Sequence, residues 1–275
     1  MSNLDKKTVD GFGLEWSTFD QSALSKAEKL SIFERYFSIF PWDRLPKDAV
    51  GADIGCGSGR WASLVAPRVG QLHCIDPSRE ALSVARANLA AYSNTSFHHA
   101  PVEAMQIPIG SLDFAYSLGV LHHVPDTAAA VRSLASKLKS GAPFLIYLYY
   151  AFDNRPVWYR LLWKGSDWIR MAVARMPFPI RYALTQVIAT TIYWPLARMA
   201  RGLRSVGWLP RDWPLAHYVD RTFYVMRTDA LDRFGTRLEN RYTRSQIAAM
   251  LEGAGFRDIR FSESPPYWCA VAIRR

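Results

Sequence analysis

The sequence predicts an α/β protein, a doubly wound and mostly parallel seven-stranded sheet that ends in an antiparallel hairpin, with a helical insertion between the fifth strand and the last helix. Three observations predict it. Short apolar runs alternate with helical patterns from residue 49 to residue 150, the spacing of right-handed crossover units. A glycine-rich turn, Gly55-Cys56-Gly57-Ser58-Gly59, follows the first of those runs and opens a helix. The alternation stops after Tyr150 and resumes at Thr243, so the intervening segment is an addition to the sheet and not part of it.

The elements follow in order. Residues 22–40 place Leu24, Ala27, Leu30, Phe33, Tyr36, Phe37 and Phe40 at helical spacing, and Pro41 ends the run. Residues 49–54 read as a short buried strand, 55–59 as a tight turn, and 60–66 as a helix stopped by Pro67. Residues 71–75 are a strand, and 78–92 a helix with Ser78 placed to cap it ahead of Ala81, Leu82, Ala85 and Leu89. Residues 95–99 and 112–117 are further strands. Residues 126–139 are helical, Gly141 is the C-terminal glycine of that helix, and 144–150 form a strongly apolar strand. Residues 245–252 read as a helix closed by Gly253 and Gly255. Residues 256–262 and 267–274 are strands whose connection, Glu263-Ser264-Pro265-Pro266, is short enough for an antiparallel hairpin. The expected organisation is an N-terminal arm and helix over 1–48, a sheet domain over 49–150 and 243–275, and the insertion over 151–242.

Composition bounds what such a chain does. With 275 residues, 49% of them apolar, it can bury a sizeable core, and its length suits one domain with an elaboration. The first ten residues are polar, carry Asp5, Lys6 and Lys7, and lack the apolar segment of a secretory signal, so a cytoplasmic location is expected. Cys56, Cys74 and Cys269 are odd in number and widely spaced, which fits reduced thiols better than disulfides or structural zinc. No metal is expected. The formal charge of +10 is unevenly placed: residues 151–220 hold ten arginines and lysines against four acids, and six of the ten tryptophans. No apolar stretch there reaches spanning length; residues 187–200 are broken by Pro195 and Arg198.

The glycine turn carries the chemistry. Residues without a Cβ let backbone approach a ligand and tolerate positive φ. The spacing is Gly-x-Gly-x-Gly, not that of a dinucleotide pyrophosphate site, and Asp53 stands two residues before the first glycine. A carboxylate there repels a pyrophosphate but accepts hydrogen bonds from an ammonium group, which suits an amino-acid moiety. Asp76 ends the second strand 21 residues after Gly55, where an acid can accept from both hydroxyls of a ribose.

On these residues the chain resembles the class I S-adenosylmethionine-dependent methyltransferases, over roughly residues 50–150 and 242–273. The resemblance rests on Asp53 to Gly59, on Ile75-Asp76, on Ser111-Leu112-Asp113-Phe114 through Leu121-His122-His123-Val124-Pro125-Asp126, and on Ala254-Gly255-Phe256 before the hairpin. It implies that S-adenosyl-L-methionine binds and S-adenosyl-L-homocysteine leaves. Gly55, Cys56, Gly57 and Gly59 would cradle the methionine part, Asp76 and Pro77 would meet the ribose, Val102 and Glu103 would lie beside the adenine, and Ser117 and Leu118 would border the methionine end. Family members often carry an acid at the position of Pro101; here the adenine amino group falls to Val102 backbone or Glu103. Residues 12–16 and Arg35-Tyr36 either close over the cofactor or pack on the core.

The acceptor is read from fewer residues. Methyl transfer is a direct displacement, so the protein aligns donor and acceptor and, for a hydroxyl, supplies a base. His122 is the first candidate and His123 the second, since both follow the fourth strand at the carboxyl edge of the sheet, and some similar O-methyltransferases use a histidine there. The alternative is that the pair starts a helix and its rings only pack or cap. Leu148 stands where those enzymes can carry a partner acid, flanked by Tyr147 and Tyr149 on the opposite face. Ser264-Pro265-Pro266-Tyr267 looks like the base-stacking element of amino-methylating nucleic-acid enzymes, but it lies in the terminal hairpin and not after the fourth strand. Nucleic acid is therefore disfavoured, RNA methylation remaining an alternative.

By the same resemblance the insertion covers the acceptor pocket as a helical lid. Its aromatic walls and planar arginine donors suit an acceptor with an apolar or sugar part and an anionic handle. A hydroxyl of a sugar, a glycan precursor or another biosynthetic intermediate is expected. Trp16, Tyr149, Tyr224 and Arg227 are the candidate substrate residues, although residues 228–234 also read as a capped helix that Arg227 merely flanks. An alternative for residues 157–164 is an anionic membrane surface, with a lipid-like acceptor, and the blandest alternative is an accessory helical layer with a solvated basic face.

Overall fold

In the computed structural model, which describes residues 3–19 and 24–275, the apolar runs become seven strands of one sheet ordered β3-β2-β1-β4-β5-β7-β6. They are β1 (Val50–Ile54), β2 (Gln71–Asp76), β3 (Thr95–His99), β4 (Phe114–Leu118), β5 (Pro143–Tyr147), β6 (Phe256–Phe261) and β7 (Cys269–Arg274). The first five are parallel, and β7 runs antiparallel between β5 and β6. The predicted doubly wound sheet with its terminal antiparallel pair is what the chain adopts. β7 starts two residues later than its apolar pattern, because the Cys269 N–H first closes a turn on the Pro266 carbonyl at 3.1 Å. The strand order reverses between β1 and β4, which places a crevice beyond their carboxyl ends.

Helices cover both faces, and each face has its own core. Ala52, Ile54, Ala115 and Phe144 point to one side, against Val131 and Leu134 of α5 (Thr127–Ala135) and Ile247 and Leu251 of α10 (Arg244–Gly253). Leu72 and Tyr116 point to the other, against Phe33 and Phe37 of α2 (Lys26–Phe37) and Leu82 of α4 (Arg79–Asn88); α3 (Ala62–Val65) adds Ala62 and Val65 there. The helix starts are set by side chains that satisfy orphan amides. Ser78 Oγ accepts from the Ala81 N–H at 3.2 Å. Thr243 and Gln246 form a reciprocal capping box on α10. Ser25 caps α2; positions 22 and 23 of the helix expected there lie outside the described residues.

One helix was not expected. α1 (Lys6–Thr18) begins at Asp5, whose carboxylate accepts from the Thr8 N–H at 2.7 Å. Its Gly11 and Gly13 lower helix propensity, so only contact with the sheet domain makes it a helix.

The chain divides into two compact units. One contains the described residues up to Phe19 with Ser25–Ala151 and Leu238–Arg275, and the other contains Leu24 with Phe152–Arg237. The second is helical: α6 (Val157–Val173), α7 (Phe178–Ile188), a π-helical turn over Ala189–Tyr193, α8 (Trp194–Ser205) and α9 (Phe223–Gly235). α9 starts before residue 228, because Val225 and Met226 are buried and extend the stripe of Ala230 and Leu231 by a turn. At its other end two buried arginines from α6 and α7 serve the unpaired carbonyls. Arg170 donates to Thr236 O and Arg181 to Gly235 O, each at 2.9 Å. Among the described residues no helix is long and apolar enough to cross a membrane.

Candidate active site

Parallel pairing sets Asp53 of β1 level with Cys74 of β2 and Tyr116 of β4, so the three side chains share one face. The Tyr116 hydroxyl donates to Asp53 Oδ2 at 2.9 Å. Asp53 is 2% exposed. Burial, with the neighbouring charge of Asp76 adding to it, pushes its carboxyl up to about 8 against the pull of that hydrogen bond. Beyond β1 the chain turns on Gly55 and Gly57, at φ +73° and +52°. The Gly55 and Cys56 amides both donate to Ile75 O, at 2.8 and 3.1 Å, which ties the turn to β2. A Cβ on Gly55 would lie 2.2 Å from a Val120 methyl carbon, and one on Gly57 would lie 3.0 Å from the Trp16 indole.

Asp76, at the end of β2, holds the turn from the other side. Its Oδ2 accepts from the Gly57 N–H at 2.9 Å and its Oδ1 from the Ser78 N–H at 2.8 Å. Burial raises its carboxyl to about 6, the two amides opposing the rise. Each oxygen retains a lone pair, so Asp76 can still accept from two hydroxyls. Ser58 Oγ in the same turn is buried and has no hydrogen-bond partner, a cost of about 1–3 kcal/mol that a polar ligand would remove. A loop of left-handed glycines, two buried carboxyls and an orphan hydroxyl fit a ligand with an amino-acid end and a ribose. They do not fit a pyrophosphate.

The other expected contacts are distributed around this turn. Cys56 and Gly59 are buried within it, with Gly59 at φ +75°. Pro77 follows Asp76, and its carbonyl is 3.0 Å from His99 Nε2. Val102 is buried, and its carbonyl accepts from Ser133 Oγ at 3.3 Å, whereas Glu103 is exposed and accepts from Asn3. Ser117 is fully buried and donates to Ile54 O at 3.0 Å, bracing β4 on β1; Leu118 is half-buried at the strand end.

The two histidines follow β4 in a 3-10 turn over Leu121–His123. His123 Nδ1–H donates to Leu238 O at 2.7 Å, and its ring lies 4.8 Å from Phe12. His122 differs. Its ring is fully buried and stacked on Tyr149 at 3.9 Å between centroids, and neither nitrogen has a hydrogen-bond partner. Burial, then the charges of His123 and Arg241, hold its pKa well below the usual imidazole range. The ring is neutral at pH 7 and has a lone pair to offer. Leu148, in the place of a partner acid, is entirely buried, so the orienting contact is the Tyr149 ring.

Two residues of this cluster have no local signal in the sequence. Arg241 lies with its guanidinium 5.1 Å from the Tyr149 ring centroid, donates to Tyr150 O at 3.2 Å and pairs with Glu239 at 2.8 Å. The bridge of Tyr150 with Tyr242 brings this segment back beside β5, a pairing across ninety residues of insertion that sequence spacing does not reveal.

Residues 52–146 match the family described as a methyltransferase domain. Over these residues the chain carries a methyltransferase domain. A ubiquinone biosynthesis O-methyltransferase from Albidiferax ferrireducens is 33% identical over 122 residues, covering 42% of this chain and 46% of that protein. A demethylmenaquinone methyltransferase from Bacillus licheniformis is 30% identical over 102 residues, 35% of this chain and 43% of that one. The chain thus spans about half the length of the curated relatives it matches. A SAM-dependent methyltransferase from Aquifex aeolicus shares the fold with a TM-score of 0.52 at 12% identity, over 93% of this chain and 96% of that one.

Of the four expected substrate residues, the methyltransferase domain holds two. Tyr149 stacks on His122, and Trp16 on α1 lies against Gly57, on the glycine turn. Tyr224 and Arg227 lie on α9 of the helical unit, where Arg227 is held by Gln186 and by the Tyr182 hydroxyl. Arg227 therefore sits inside a helix and does not flank one.

Proposed function

We propose that the chain transfers a methyl group from S-adenosylmethionine to a hydroxyl of a small biosynthetic intermediate, with His122 as the general base. The observation that carries this reading is the buried, neutral, doubly unpartnered imidazole of His122 at the carboxyl end of β4. When bound, the cofactor supplies an electrophilic methyl group. The residues of the chain hold the reactants in line, exclude water and take up the proton that the hydroxyl loses. Asp53 and Asp76 would hold the ammonium and ribose of the cofactor, and the Tyr149 ring would fix the imidazole plane.

The names of the curated relatives, which place them in ubiquinone biosynthesis and on demethylmenaquinone, favour an intermediate of that class over a sugar hydroxyl. The test is an acceptor screen with methyl-labelled cofactor across quinone-type phenols, nucleotide sugars and bulk RNA. Label in a phenol, lost in His122→Gln, supports the reading. Label only in RNA, with a steep salt dependence, overturns it.

A further inference from the structure

Two helices of the helical unit, α6 and α7, turn apolar faces to solvent. On α6, at 100° per residue, Val157, Trp158, Leu161, Leu162, Trp168 and Ile169 fall within one arc. All six are more than half exposed, Trp168 by 75%. The opposite arc holds Arg170, which is 6% exposed and pairs with Asp167 at 2.6 Å. α7 repeats the inversion: Ile180, Leu184 and Val187 are exposed, while Arg181 and Thr185 are buried. A helix that packs on a core only to shield it from water has the reverse arrangement. Among the described residues every exposed large apolar side chain other than Leu14, Leu30 and Ile109 belongs to this unit. Exposed apolar faces of this kind mark an interaction surface.

Charge selects the occupant. Arg160 and Lys164 are exposed along one edge of the α6 arc, and Arg175, Arg201 and Arg211 are exposed elsewhere on the unit. The exposed acids are Asp153 and Asp220, and Asp220 is paired with Arg204 at 2.6 Å. A second copy of the chain would bring like charges together. A nucleic acid would leave the aliphatic arc without a partner. An anionic bilayer meets both requirements: apolar side chains enter the boundary of the acyl region, indoles lie at headgroup depth, and arginine and lysine meet phosphate. α6 is not long and apolar enough to span a bilayer, so it would lie in the plane of the surface.

We propose that the exposed apolar faces of α6 and α7 dock on an anionic phospholipid bilayer. This goes beyond methyl transfer, and its test contains neither donor nor acceptor. The full chain is sedimented with vesicles of phosphatidylcholine alone or mixed with phosphatidylglycerol. Binding to the mixed vesicles that weakens with salt is expected. Leu161→Ser with Trp168→Ser should lower partitioning by about tenfold or more with far-ultraviolet circular dichroism unchanged, since both side chains face solvent. Arg160→Gln with Lys164→Gln should weaken binding and flatten its salt dependence. No binding to the mixed vesicles, equal binding to phosphatidylcholine alone, undiminished binding by the serine variant, or a dimer in sedimentation velocity that the serine variant dissociates would each overturn the proposal.

Discussion

Asp53 offers the sharpest test of the proposed cofactor site, because its proton inventory follows from burial. In the ligand-free chain the carboxyl titrates near 8, so at pH 7 roughly 0.9 of a proton remains on it. An ammonium group brought against it favours the ionised form and expels that proton. Binding of S-adenosylhomocysteine should therefore release between about 0.5 and 1 proton per site at pH 7, the span left by one unit in the pKa. Isothermal titration calorimetry in buffers of different ionisation enthalpy measures this number as a slope. Asp53→Asn carries no proton to lose and should bind weakly with a slope near zero.

The same shift fixes a stability change. A carboxyl raised from 3.8 to about 8 in the folded state keeps a proton that the unfolded chain gives up, so its contribution falls as pH rises from about 4 to 8. At pH 7 the penalty is about 4 kcal/mol. Asn removes the ionisable group and can still accept from Tyr116, so the ligand-free variant should melt higher than wild type while losing its response to ligand. Release of less than about 0.2 proton, or the same slope in the variant, would refute the assignment of Asp53 to the ammonium.

Three other expectations are checked more simply. His122→Gln should lower kcat on the accepted substrate by about 10²–10⁴-fold with little change in cofactor affinity; full turnover would remove His122 from the chemistry. Because the folded pKa of His122 lies below its unfolded value, the unfolded chain binds the extra proton. Stability should then fall as pH drops below about 6.5, and melting curves of His122→Gln between pH 5 and 7 should show a shallower decline. Gly55→Ala and Gly141→Ala both force a side chain into left-handed φ, at +73° and +83°, but only the first meets an atom, 2.2 Å away on Val120. Gly141→Ala should cost about 1–2 kcal/mol and Gly55→Ala clearly more. Equal shifts in Tm would mean that Val120 moves aside.

Local pattern was enough for the sheet domain. Apolar runs of strand length, helices with Ser78 and Thr243 at their starts, and the reversal of pattern at Tyr150 are all properties of neighbouring residues. The glycine turn was legible for the same reason: left-handed φ at Gly55 and Gly57 and the acids at Asp53 and Asp76 are a matter of residue type and spacing. Three features were decided by tertiary structure. α1 has weak propensity of its own, and packing makes it a helix. The groups packed around Asp53 and His122, namely Tyr116, Tyr149 and Arg241, are set by strand register and by the return of the chain after the insertion, which no local window contains. On α6 the helical period predicts two faces but not which one meets water. The structure turns Arg170 inward to the carbonyls ending α9 and leaves Trp158 and Trp168 outside, because those carbonyls need donors and only a distant helix supplies them.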